Sequence, residues 1–365
     1  MTQSITLKQI LEKVEQNTPL SKQDMVRVLE TKIPDEVEAI FKTARKLRET
    51  YFSNRIFLYG FLYFSTYCRN SCNFCLYRKS NKEAPRYRKT ADEILESSKR
   101  LADSGVNLLD LTMGEDPYIF KKDNSGFDTL LEIIHSVKSS TGLPIMISAG
   151  VLPEMIIKKL ADAGASWYAC YQETHNQALY RQLRTEQDYD IRFQSKQQAK
   201  EQNLLIEEGL LSGIGESLED IADSIFAMQK LDADQVRIMS LIPQKGTPML
   251  NFEQPDPLKE LLVIALMRLA LPDRLIPASL DVGGHAELDE RLAAGANVVT
   301  SLIPPGQGLA GVAQSSLDIE DGKRTVAGIS NVLQENGLEP ATNEQYQSWV
   351  DQRIEKTATT SPKIA

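Results

Sequence analysis

Arg55-Ile-Phe-Leu-Tyr-Gly-Phe-Leu-Tyr-Phe-Ser65 is an apolar, aromatic-rich run. Its composition favours a strand, and its lack of polar alternation favours one buried on both faces. It leads into Tyr67-Cys-Arg-Asn-Ser-Cys-Asn-Phe-Cys-Leu-Tyr-Arg78, which holds three of the four cysteines of the chain. A buried strand opening into a loop of metal-ligand residues places the chemistry at the strand's C-terminal end.

The same unit recurs downstream. Further strands are expected at 107–113, 144–149, 166–171, 204–211, 235–240, 275–280 and 297–301, with helices at 129–139, 154–163, 190–202, 217–231, 258–271 and 285–294. Thr90-Ala-Asp-Glu93 is a capping box, in which hydroxyl and carboxylate satisfy orphan amides ahead of Ile94, Leu95 and Leu101. Ile221, Ile225 and Met228 form one apolar stripe suited to docking on a sheet. Eight strands alternating with helices predict an α/β fold, a (βα)8 TIM-type barrel, and the missing GxGxxG argues against a dinucleotide-binding sheet. The expected division is an N-terminal helical extension over 1–50, broken at Pro19 and Pro34, the barrel over 51–350, and a flexible tail over 351–365. Asp318-Ile-Glu-Asp reads as a further helix start.

Composition narrows the function classes. With 365 residues, 42% hydrophobic and 25% charged, the chain has the make-up of a globular protein with a sizeable core. A net charge of −9 and a pI near 5.1 disfavour nucleic acid and anionic membrane as partners. The longest apolar run, 261–271, is interrupted by Arg268 and too short to span a bilayer. Few cysteines and no apolar leader in the first residues give the expectation of a cytoplasmic, reduced protein.

Cys68, Cys72 and Cys75 follow a C-x-x-x-C-x-x-C spacing. Three thiolates fit one loop around a [4Fe–4S] cube and leave one iron without a protein ligand, and an open metal position is a catalytic one. Structural zinc needs a fourth ligand, and His135, His175 and His285 are far away in sequence. A redox pair at Cys72 and Cys75 would need no third cysteine. Cys170, within an apolar strand, reads as a small buried hydrophobe.

Barrel chemistry gathers where strands end, and those ends are polar here. Strand two carries Asp110 and leads to Met113-Gly-Glu-Asp116; strand three ends at Ser148; strand four leads to Glu173; strand five gives Gly209-Leu-Leu-Ser-Gly-Ile-Gly-Glu216; Arg237 and Ser240 lie on strand six, and Ser279 and Asp281 close strand seven. Carboxylates, an arginine and hydroxyls together suit a zwitterionic ligand.

With Phe74 just before the last cysteine, the loop resembles that of the radical S-adenosylmethionine (SAM) superfamily. The resemblance implies that the amino and carboxylate groups of SAM chelate the open iron and that an electron from an external donor cleaves SAM to a 5′-deoxyadenosyl radical. It also implies a cluster held by Cys68, Cys72 and Cys75, and SAM contacts from Tyr77, Glu115, Ser148, Glu173, Arg192, Gly213 and Glu216. Glu115 would sit near the SAM ammonium, Glu173 at the ribose, Arg192 at the carboxylate, and the 209–216 segment against the adenosine. Within the superfamily the chain is similar to the biotin synthase and hydrogenase-maturase branch, without the extra cysteines of a sulfur-donating second cluster. Segments 65–78, 109–117 and 277–284 resemble the methylornithine synthase family most. That likeness implies L-lysine as substrate, isomerised to (3R)-3-methyl-D-ornithine by hydrogen abstraction at C4, fragmentation and recombination. Arg237 would then grip the α-carboxylate, and Ser279, Asp281 and either Asp110 or Asp116 the amino groups. An internal Arg237–Asp281 pair is the structural alternative. A maturase-like enzyme acting on another amino acid, and a non-catalytic iron–sulfur protein, are the competing functions.

Overall fold

The computed structural model describes residues 5–305 and 323–360, and side chains as far as 356. The expected helix start at Asp318 lies outside the described residues. Eight parallel strands, β1 (Arg55–Ser65), β2 (Leu108–Met113), β3 (Ile145–Ser148), β4 (Trp167–Ala169), β5 (Leu205–Ser212), β6 (Gln235–Ser240), β7 (Pro277–Ser279) and β8 (Val298–Leu302), form one sheet in the order β6-β5-β4-β3-β2-β1-β8-β7. The remaining seam closes at the N-terminal ends, where Gln235 bridges Leu275 and the Val236 amide donates to the Leu275 carbonyl at 3.0 Å. The result is the expected (βα)8 barrel. All but the first residue of β1 is buried, as its unbroken apolar run predicts.

Local signals place the helices. The Thr90 hydroxyl accepts the Glu93 amide and the Glu93 carboxylate accepts the Thr90 amide, ahead of Ala91–Asp103. Three helices, Leu7–Glu15, Lys22–Leu29 and Pro34–Phe52, precede the barrel, the second opening on a Ser21–Asp24 capping box. They lie against barrel helices: Lys22 Nζ meets Asp223 at 2.6 Å, and Arg48 donates to the carbonyls of Leu292 and Ala296. Covered on both sides, Pro257–Ala270 buries nine of its residues, Arg268 included. That explains an apolar run with no polar face.

The chain beyond residue 340 closes the barrel from below. A short strand, β9 (Glu339–Pro340), pairs with the start of β1, and the helix Asn343–Thr360 crosses the N-terminal mouth. Tyr346 and Tyr59 hydroxyls meet at 2.7 Å, Trp349 stacks on Trp167 at 5.9 Å, and Arg353 pairs with Asp234 at 2.6 Å. Of the tail expected over 351–365, the helix takes in residues as far as Thr360, with Arg353 buried, and 361–365 lie outside the described residues. Sequence reading missed it because its aromatic anchors are widely spaced and its other residues polar.

Candidate functional site

The cysteine loop leaves β1 and folds over the C-terminal end of the barrel. Asn73 and Arg69 amides tie it to the Leu183 and Glu115 carbonyls, and its neighbour Gly114 is so close that a Cβ there would stand 2.3 Å from the Tyr67 carbonyl. Cys68, Cys72 and Cys75 are free thiols facing one cavity of about 220 Å³. Burial raises the Cys68 thiol, and burial followed by the neighbouring Cys72 and Cys68 raises Cys75. Among the described residues no three His, Cys, Asp or Glu side chains are arranged around a single ion. A mononuclear zinc site needs its ligands around one ion, whereas a cube puts each thiolate on a different iron. Donors already point at sulfur: Gln187 Nε2 is 3.0 Å and Arg184 Nη1 3.5 Å from Cys72 Sγ, and the Asn70 amide is 3.4 Å from Cys68 Sγ. Donors to thiolate sulfur stabilise the negative charge of a cluster.

Four of the seven SAM candidates line this cavity: Glu115, Ser148, Glu173 and Arg192. Glu115, buried, accepts from Arg69 Nε at 2.8 Å and from the Val151 amide at 3.0 Å. Gly150 makes that approach possible, since a Cβ there would fall 2.4 Å from the carboxylate and its φ is +75°. Arg192 donates to the Tyr171 carbonyl at 2.7 Å and stands 4.0 Å from Glu115. Glu173 has φ +68°, a left-handed conformation that a non-glycine residue adopts at a cost, and pairs with Arg184 at 2.6 Å.

The other three lie outside the lining of this cavity. Tyr77 is fully buried beside Tyr63, with ring centroids 5.1 Å apart, outside the cavity wall. Glu216 turns into its own loop, accepting the amides of Gly213 and Ile214 at 3.0 and 2.9 Å and pairing with Lys259. Gly213, at φ +87°, is needed because a Cβ would strike Pro255 at 2.8 Å. The 209–216 glycine pattern here shapes a turn.

Beneath the cavity floor of Tyr171 and Met239 lies a second polar layer. Arg237 sits over the Tyr171 ring at 5.6 Å and pairs with Glu207 at 2.8 Å. Glu207 also accepts the Tyr171 hydroxyl at 2.7 Å and the Gln235 amide at 2.6 Å. Burial, then the Glu207 charge, push Asp110 up to about 7. Asp281 pairs with Arg324 at 3.0 Å, so the expected alternative of an Arg237–Asp281 pair is replaced by two separate pairs. Ser279 is buried, with its hydroxyl 3.3 Å from that of Ser301. Asp116 receives two bonds from Arg88, at 2.6 and 2.7 Å, one from Ser65 and the Tyr118 amide. These bonds tie it to the end of β1. Sequence reading missed Arg184, Gln187 and Glu207. The first follows an unassigned seven-residue helix, Gln177–Leu183, whose one signal is the Asn176 cap; Glu207 lies in mid-strand.

Residues 62–228 match the family model of the radical SAM superfamily. A 3-methylornithine synthase from Methanosarcina acetivorans is 42% identical over 92% of this chain and 95% of its own length. The chain belongs to the 3-methylornithine synthase family. The crystal structure of methylornithine synthase (PylB) superposes with a TM-score of 0.88 at 40% identity, over 93% of this chain and 99% of that one. More distantly within the radical SAM proteins, the [FeFe] hydrogenase maturase subunit HydE of Thermotoga maritima is 31% identical over 81% of this chain and 83% of its own. As a radical SAM member of the 3-methylornithine synthase family, the chain uses a [4Fe–4S] cluster and SAM. The residues fit both groups: three thiols ringed by N–H donors for the cluster, and beside them buried carboxylates and an arginine for a zwitterion.

Proposed function

We propose that the chain isomerises L-lysine to (3R)-3-methyl-D-ornithine, in a reducing cytoplasm and with an external electron donor. The observation that carries this reading is the two-tier site: a cysteine-ringed cavity above, and below its floor a separate charged layer of Arg237, Glu207 and Asp110. When bound, the cluster and SAM supply a 5′-deoxyadenosyl radical that removes one hydrogen from the substrate. Arg192 and Glu115 hold the SAM carboxylate and ammonium, and Glu173 its ribose. Donors from Arg184 and Gln187 orient the Cys72 sulfur.

In the lower tier the Arg237 fork takes the lysine α-carboxylate. Glu207 holds that fork in place, and Asp110 receives an ammonium; Ser279 and Asp281 complete the amino-group contacts. A substrate broken at a carbon–carbon bond must recombine before its pieces drift apart, so water and exits have to be excluded. The Tyr59–Tyr346 contact and the Trp349 stack close the barrel underneath. The test is anaerobic reconstitution followed by SAM, dithionite and L-lysine. A new amino acid of unchanged mass supports the assignment, and 5′-deoxyadenosine formed without one removes it.

A further inference from the structure

The cysteine loop carries a surface that its chemistry alone does not need. Tyr67, one residue before Cys68, and Tyr118 are 39% and 47% exposed and rank among the exposed large side chains. The Arg88 guanidinium lies between them, 4.8 Å from each ring. The ladder continues with Lys121 Nζ 4.5 Å from Tyr118, and at its side Arg69 stacks 4.4 Å from Phe120. Residues 69–89 hold seven cations and one acid, Glu83; Arg69, Lys79 and Arg88 are paired with Glu115, Glu186 and Asp116 and Glu83 with Lys245, which leaves Arg78, Lys82, Arg86 and Lys89 as a local positive excess in a chain whose net charge is −9. Exposed cations on exposed aromatics are a recognition surface: tyrosine and arginine anchor contacts at low entropic cost, and positive charge steers an acidic partner.

We infer that the Tyr67–Arg88–Tyr118–Lys121 ladder is the docking face for an acidic, low-potential protein electron carrier. The inference rests on the proposed radical SAM chemistry, which consumes one electron at the cluster. The carrier's own redox centre is oxidised by one electron and the cluster reduced by one; no bond forms or breaks at the interface. Tyr67 and Cys68 are adjacent in sequence, and Gly114 abuts both, so a carrier on this ladder sits against the wall of the cluster pocket. A transient contact suits a modest area and charge-driven approach. Arg88 and Arg69 also fasten Asp116 and Glu115 from inside, which holds the ladder rigid before any partner arrives.

The test uses the full chain and an acidic two-cluster bacterial ferredoxin. Calorimetry measures binding of the oxidised ferredoxin to wild type and to the double variant Tyr118→Ala/Lys121→Glu, residues outside the SAM and substrate tiers. The expected result is a Kd at least tenfold weaker in the variant and a wild-type affinity that falls steeply between 50 and 200 mM salt. 5′-Deoxyadenosine formation should stay equal to wild type with dithionite and drop with reduced ferredoxin. Equal binding and equal ferredoxin-driven rates in the two proteins would overturn the inference. So would a self-associated form that the variant dissociates while ferredoxin binding is unchanged, since the face would then belong to a second copy. Failure of dithionite to yield 5′-deoxyadenosine in wild type would instead remove the underlying functional proposal, whatever the binding data.

Discussion

Arg237 Nε stands 2.8 Å from Glu207 Oε1, across the β5–β6 pair and in the barrel interior, both side chains closed to bulk water. A buried guanidinium that already has a counter-charge can be offered to a ligand without becoming an isolated charge. That is the condition for binding a carboxylate where water is excluded.

Replacing Glu207 with Gln removes the counter-charge while keeping the side chain's shape. Breaking a buried pair of this kind costs about 3 kcal/mol. Part of that loss should be restored when L-lysine supplies a carboxylate, so the thermal shift on adding L-lysine should be larger in E207Q than in wild type. Equal shifts would mean that the lysine carboxylate does not meet Arg237.

Asp110 gives a pH dependence. Its carboxyl titrates at about 7 in the folded chain, against 3.8 for an ordinary aspartate, because of burial first and Glu207 second. Between those values the folded chain retains a proton that the unfolded chain has released, so stability falls as pH rises through this window, by at most about 4 kcal/mol. Asp110→Asn should flatten that fall, read as melting temperature at pH 5 and pH 8. An ammonium beside Asp110 draws its pKa down again, so L-lysine binding at pH 7 should release protons, measurable by calorimetry in two buffers of different ionisation enthalpy. No proton release would place the ammonium elsewhere.

Glu173 allows strain and binding to be separated. Glu173→Ala and Glu173→Gly both lose the carboxylate, but only alanine keeps a Cβ at φ +68°. The glycine variant should be the more stable by about 1 kcal/mol, while both bind SAM at least tenfold more weakly. If SAM affinity is unchanged in both, the carboxylate serves only Arg184.

Asp116 makes the opposite prediction to Asp110. Asp116→Asn loses charge against Arg88 and should lower stability by about 2 kcal/mol, discounted because Arg88 is 38% exposed. In the folded fraction the KM for L-lysine should not move. A selective rise in KM would make Asp116, rather than Asp110, the strand-two acid at the substrate.

Much of this was legible in the sequence, for physical reasons. β1 is an eleven-residue apolar run rich in aromatic residues, the make-up of a strand buried on both faces. The three cysteines lie within eight residues, so their meeting needed no tertiary information. Glu115, Ser148 and Glu173 line one cavity because strand ends converge in a barrel. Glu207 was not legible, because a carboxylate in mid-strand gives no periodic signal and its meaning comes from Arg237 across the register. The bonds of Glu216 within its own loop and the packing of Gly213 on Pro255 were not legible, because a glycine pattern does not say what lies against the turn.

The most direct measurement is a mass-balanced turnover. Anaerobically reconstituted chain is given SAM, dithionite and uniformly ¹³C-labelled L-lysine, and the products are separated and weighed. The two-tier site predicts 5′-deoxyadenosine together with a fully labelled amino acid of the mass of lysine and a different retention, both absent in Cys72→Ala. 5′-Deoxyadenosine accompanied by unchanged lysine alone would contradict the lysine mutase assignment.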